Sequence, residues 1–323
     1  MRTQNMRNSS RVRAKSWPYP RRNWLEKELR RAAADWFAER GFEQHKRYPF
    51  CLARRDLWPQ NIIDPEVVGY VQREMTEREA QGKGFALHDW VHHGLSSQAM
   101  LFNLVGPLIV RDDLAPLRDA FQQQGIPWPA GANRPVFEYE DRGVFNEDSG
   151  QPTSVDLVFA EDQTPRVFVE AKLVEPEFGG CSVFGAGDCD GRNPAPDFST
   201  CYLHHIGRQY WTVLQKHGFL EGPVGTDTSC ALANHYQFFR EVGLALENGG
   251  AFVLLSDERS PVFWCDGTLG ERGLMAYLLK LVPESLHDRI GRVSIQQVLR
   301  TVKETGRHSW VKEFERKYAV VVG

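Results

Sequence analysis

Charged side chains stand at three positions where the surrounding residues ask for burial. Ser154-Val155-Asp156-Leu157-Val158-Phe159 and Val167-Phe168-Val169-Glu170-Ala171-Lys172-Leu173 each read as an apolar strand carrying an acid at one position. Side chains alternate along a strand, so Phe168, Glu170 and Lys172 share one face while Val167, Val169, Ala171 and Leu173 line the other. Charge inside such a strand is costly unless it is paired or ligates metal. Two carboxylates that meet across neighbouring strands make a hard, oxygen-rich site suited to Mg²⁺, with Mn²⁺ as the alternative. A lysine beside them can orient a water or offset charge developing on a phosphate. The chemistry outlined is that of a metal-dependent phosphodiesterase. The competing reading is a structural ion pair on a half-exposed strand. A bare Glu-x-Lys carries little weight alone; its embedding does more, since the segment between Asp156 and Glu170 holds two short strands and a turn over 161–165.

At these residues the chain resembles the PD-(D/E)XK nuclease superfamily, in a bacterial restriction-endonuclease-like branch. Asp156, Glu170 and Lys172 match its acid and its Asp/Glu-x-Lys, with Ser154-Val155-Asp156 standing where Pro-Asp is usual. Further similarity lies in SSQAMLFNL (96–104), EAKLVEPEFGGC (170–181), YQFFR (236–240) and the strand over 251–256, so it spans about residues 90–260. The resemblance implies an α/β fold with a restriction-endonuclease-like core (helix, three strands, helix, strand; mixed sheet) and helical N- and C-terminal extensions. It also implies Asp156 and Glu170 as metal ligands, Lys172 as the catalytic cation, and DNA as the partner, with a homodimer or a partner subunit as the setting. The function it implies is a Mg²⁺-dependent DNA endonuclease of restriction or defence type. The alternative is a catalytically inactive nucleic-acid-binding module on the same fold.

One departure stands out. Many members of the superfamily add a glutamate from the helix before the first core strand, and here the segment 96–110 holds no acid. Gln98 or Asn103 takes that place, or Glu138 on the following strand supplies the oxygen. From the helix expected beside the catalytic strand, Gln237 can orient water or touch a phosphate. Arg240 is a phosphate ligand or the partner of an acid, and Tyr236 and Phe239 are expected in the core. Glu175 and Glu177 lend a further carboxylate to the site or face solvent, the second being the plainer reading.

The elements that must position these residues follow from patterning. Apolar residues at helical spacing predict a helix over 22–40, stopped by Gly41, and others over 65–81 and 96–110, where Pro107 is a kink or an end. Core strands are expected over 136–139, 155–160, 166–173 and 251–256, helices over 206–217 and 235–246, and a mainly helical tail over 274–318. His88 and His92 have metal-ligand spacing without a third ligand in sight. The division expected is a basic arm (1–21), an N-terminal helical extension (22–95), the core (96–260) with a cysteine-containing insertion (179–234), and a C-terminal helical extension (261–323).

At 323 residues and a formal charge of −3, composition alone points to no polyanion partner. The distribution says more: residues 1–55 carry 15 Lys and Arg against 5 Asp and Glu, leaving 24 against 37 in the remainder. A basic arm on an acidic body suits a protein that grips phosphates with one element and collects metal with another; a solvated leader is the plainer reading. The absence of a long apolar run or an h-region predicts a cytoplasmic protein without a membrane partner. Of six cysteines, Cys181, Cys189, Cys201 and Cys230 fall in or beside a segment rich in Gly, Pro and Asp. A structural Zn²⁺ could order it, with His204 and His205 as alternative ligands; free thiols are the default where no Cys-x-x-Cys occurs.

Overall fold

The computed structural model describes residues 21–131, 135–264 and 273–323. The basic arm lies outside them, apart from Arg21. Leu25, Leu29, Ala33, Trp36 and Phe37 form the buried stripe of helix α1 (Arg22–Glu39). Gly41, at φ 66, then turns the chain in the left-handed conformation that ends the helix. Asp64 caps α2 (Pro65–Ala80) by accepting from Glu66 N, and Ser96 caps α3 (Ser97–Val110) by accepting from Ala99 N. Every residue of α3 from Gln98 to Leu108 is buried, which marks it as the central helix, and Pro107 is accommodated inside it. The unforeseen α4 (Ala115–Gln122) follows.

Five strands form one sheet in the order β1 (Val136–Asp141), β2 (Thr153–Glu161), β3 (Thr164–Lys172), β4 (Ala251–Ser256) and β5 (Ile290–Ser294). The first three pair antiparallel; β3 with β4 and β4 with β5 pair parallel. A parallel neighbour requires a long crossover. Between β3 and β4 it carries α5 (Tyr210–Lys216) and α6 (Ala231–Glu247). The expected mixed α/β core of helix, three strands, helix and strand is therefore present. Helix 206–217 is shorter than expected, with Tyr202–His205 forming a separate turn, and α6 starts earlier with a non-helical His235. The tail contributes α7 (Leu274–Leu279), α8 (Ile295–Glu304) and α9 (Val311–Tyr318), and also β5 at the sheet edge.

Two apolar layers cover the sheet. Val167, Val169, Ala171, Val253 and Leu255 face α1–α4, α8 and α9, while Phe168, Phe252 and Leu254 face α5–α7. The alternation expected along β3 is the one observed, and it turns Glu170 and Lys172 towards α6. No helix among the described residues is long and apolar enough to cross a membrane.

Candidate active site

The site forms where β2 and β3 part. Their ladder ends at Leu157↔Val169, and the next ladder position is taken by a side chain: Asp156 Oδ2 accepts from Ala171 N at 2.8 Å. Glu170 and Lys172 sit behind, 3% and 7% exposed, with Lys172 Nζ 2.7 Å from Glu170 Oε1. Gln237 of α6 closes a triangle with them, donating to Glu170 Oε1 at 2.6 Å and accepting from Lys172 Nζ at 2.9 Å. Glu138 stands between the pairs Phe137↔Leu157 and Tyr139↔Val155, across from Asp156, in the left-handed region at φ 49. A non-glycine residue held there stores strain and needs support. Arg78 supplies it by donating to the carbonyls of Phe137 and Glu138, and Gln98 Nε2 donates to Glu138 Oε1 at 2.6 Å. Gln98 is itself fixed by Ala86 O and His88 N.

Glu241, one turn after Gln237 on α6, was not anticipated. It is fully buried, and although Gln237 lies near enough to ease its charge, neither carboxylate oxygen has a hydrogen bond of ordinary geometry. An acid inside the apolar run of α6 is the same anomaly that exposes Asp156, so it was open to detection. Glu175 departs from the plainer, solvent-facing reading: its Oε2 accepts from Leu173 N at 2.6 Å and Val174 N at 2.9 Å, which turns it inward, while Glu177 is exposed.

Four carboxylates thus crowd one ammonium. Burial, then the Glu170 charge, pushes Asp156 and Glu241 well above the ordinary carboxylate range. Burial and Glu170 raise Glu138 to about 8 against the pull of Gln98 and Arg78. Burial would lower Lys172, but Glu170 and the acids around it outweigh that and raise it. The surplus negative charge calls for protons or a cation. As the side chains stand, no three His, Cys, Asp or Glu among the described residues converge to hold an ion. The donors nevertheless fit a hard divalent cation in kind and charge, and both buried Glu241 oxygens lack a hydrogen-bond partner of ordinary geometry.

A cleft of about 590 Å³ opens onto Asp156, Glu138, Gln98 and Glu175, walled by Arg30, Tyr48, Phe50, His88, Trp90 and His93. Asp156, Glu170, Lys172, Glu138, Gln98 and Gln237 are therefore neighbours. Asn103 is not: it donates to Asn61 O and Tyr318 OH and accepts from Ile63 N deep in the core. Arg240 points away, to Glu147 at 2.8 Å and Thr153 Oγ1 at 3.0 Å, as the partner of an acid. The His88 and His92 rings are engaged separately, the first accepting from Trp90 N at 3.1 Å and the second stacking on the Trp90 ring. Cys181, Cys189, Cys201 and Cys230 all line one cavity of about 30 Å³, where burial pushes the Cys230 thiol up to about 11. None of the four is joined in a disulfide.

A mixed sheet sandwiched by helices, with acids gathered where two strands part, defines a fold consistent with the restriction-endonuclease-like core. Residues 30–319 match the model of the family described as Restriction Endonuclease associating with ARP, and the chain belongs to that family. No curated protein and no solved structure matches it significantly.

Proposed function

We propose that the chain is a metal-dependent deoxyribonuclease of the PD-(D/E)XK type, cutting DNA phosphodiesters in restriction or defence. The observation carrying this reading is the convergence of two layers: Asp156 and Glu138 line one cleft, and Glu170, Lys172 and Gln237 form a hydrogen-bonded triangle buried behind them. Asp156, Glu138 and Glu170 would hold Mg²⁺, or Mn²⁺ in its place. Bound there, the ion supplies Lewis acidity and a water of lowered pKa. Lys172 keeps a full positive charge near the scissile phosphate and positions the attacking water, and Gln237 fixes its ammonium. A bound cation would take the place of the protons that burial and mutual repulsion hold on Glu138 and Asp156. The family's description pairs its members with ARP, which makes a partner subunit the expected setting. A structural Zn²⁺ among the four cysteines belongs to the same reading, and metal analysis of the purified protein tests it.

One observation favours the second reading, a binding module without chemistry: Glu170 and Lys172 satisfy each other and Gln237 in a closed triangle. Plasmid incubation with Mg²⁺, Mn²⁺ or EDTA separates the two. Metal-dependent cutting that disappears in Lys172→Met supports the nuclease; DNA bound but uncut by the wild type under all three conditions supports the module.

A further inference from the structure

Hydrolysis of a phosphodiester does not require the wall that faces the carboxylates. The loops over 41–54 and 81–96 bring Tyr48, Phe50, His88, Trp90 and His93 to the cleft, and α1 adds Arg30. Trp90 is 62% exposed and Tyr48 42%. Each is backed by a near-parallel imidazole: Tyr48 on His45 at 5.3 Å and 21°, Trp90 on His92 at 6.1 Å and 21°. Cations accompany the rings, with Arg47 5.3 Å from the Tyr48 ring and Arg30 5.1 Å from the Phe50 ring. The wall is also closely packed from behind. A Cβ on Gly94 would meet Ala33 Cβ at 2.4 Å and Phe50 O at 2.9 Å, so the loop behind Trp90 is clamped against α1.

Exposed rings of this kind offer flat apolar faces on which another planar ring can stack. In a duplex the base faces are consumed by stacking on one another, whereas an unpaired strand offers them to protein aromatics without unstacking. We infer that Tyr48 and Trp90 form a base-stacking subsite for an unpaired DNA strand, with Arg30 and Arg47 on its phosphates. The inference rests on the nuclease reading for its substrate, since it places stacked bases beside the phosphate to be cut, but base binding is measurable without cleavage.

The test is fluorescence anisotropy in EDTA with a short labelled oligothymidylate and an abasic strand of equal length and charge. Wild type should bind the oligothymidylate on the order of 10-fold more tightly or better, the scale of one or two base–aromatic stacks. The double variant Tyr48→Ala/Trp90→Ala should lose that gap while binding the abasic strand as before, and Tyr48→Phe/Trp90→Phe should retain it. Equal wild-type affinity for both strands, or a gap that survives the alanine pair, overturns the inference. The two readings fail separately. A stacking gap without metal-dependent cleavage of any DNA leaves the subsite standing and removes the nuclease; Lys172-dependent cleavage without the gap does the reverse.

Discussion

Gln98 donates to the Glu138 carboxylate at 2.6 Å, so the helix that carries no acid reaches one across the β1 kink. The pair explains how an acid-free α3 still borders the site. The carboxylate comes from the strand and its orientation comes from the helix. It also ties the strained φ of Glu138 to a purpose, because the left-handed turn brings that side chain to the cleft side with Gln98.

Lys172 is the first residue to change. Removing its amine leaves Glu170 buried without its ion-pair partner, and breaking such a pair costs about 3–5 kcal/mol. Lys172→Met should therefore lower stability as well as abolish cleavage. Lys172→Met/Glu170→Gln, which removes both charges, should recover most of the stability and none of the cleavage. Chemical denaturation beside a plasmid assay reads both. A double variant as unstable as the single one would mean that the pair is not the source of the loss.

The crowded carboxylates make stability fall as pH rises when no divalent ion is present. Glu138 has its pKa raised from 4.5 to about 8, so between pH 6.5 and 8 the folded protein retains a proton that the unfolded chain has lost. Asp156 and Glu241 shift in the same direction. Each retained proton costs about 1.4 kcal/mol per pH unit in that window. His93, lowered to about 4 from 6.5, titrates below it, and Lys172 stays protonated throughout. In EDTA, Tm should drop from pH 6.5 to 8; Mg²⁺ should flatten the drop, and Glu241→Gln should make it shallower. A Tm rising over that interval in EDTA would contradict the protonation assigned to the site.

Arg240 should prove structural. Glu147 is buried, accepts from Thr153 N and Tyr210 OH, and takes its charge partner from Arg240. Arg240→Ala should cost on the order of 3 kcal/mol while the folded variant binds DNA with wild-type affinity. Weakened binding at full stability would assign Arg240 to a phosphate.

Lys317 offers the opposite case. Its amine is fully buried, donates to Asn61 O and lies 4.4 Å from the Trp36 ring. Burial, reinforced by Arg40, pulls its pKa well below the usual lysine value. The unfolded chain then binds a proton that the folded one refuses, a cost largest at low pH and lost only near pH 10.5, the ordinary lysine value. Lys317→Met keeps the stem and removes that cost, and Asn61 O keeps its bond from Asn103. Its Tm should rise, and rise more at pH 6 than at pH 9; a uniform fall would show the amine to be needed where it is.

Much of this arrangement was legible because it depends on local pattern. An acid breaking an apolar strand flagged Asp156 and Glu170, and two-residue alternation assigned Lys172 to the α6 face. The ends of α1 were visible in the stripe ending at Phe37 and in Gly41. Glu138 was visible only as one of several alternatives, since its place depends on a backbone conformation that Arg78, some sixty residues earlier, supports. β5 was hidden because Ile290–Ser294 is short and flanked by helical patterns, and its pairing with β4 is a tertiary fact. The inward turn of Glu175 rests on two backbone amides at the end of β3, which composition does not announce.

The first and last helices are buckled together. Trp36 Nε1 donates to Glu313 Oε2 across 277 residues of chain, Arg40 reaches the same carboxylate, and Arg316 returns to Glu39. The strap so formed carries Arg30 and braces the loops bearing Tyr48 and Trp90. Losing the C-terminal helix would therefore free α1, which carries Arg30 and packs through Ala33 on the loop at Gly94, and the wall of the cleft that faces the acids would lose its backing.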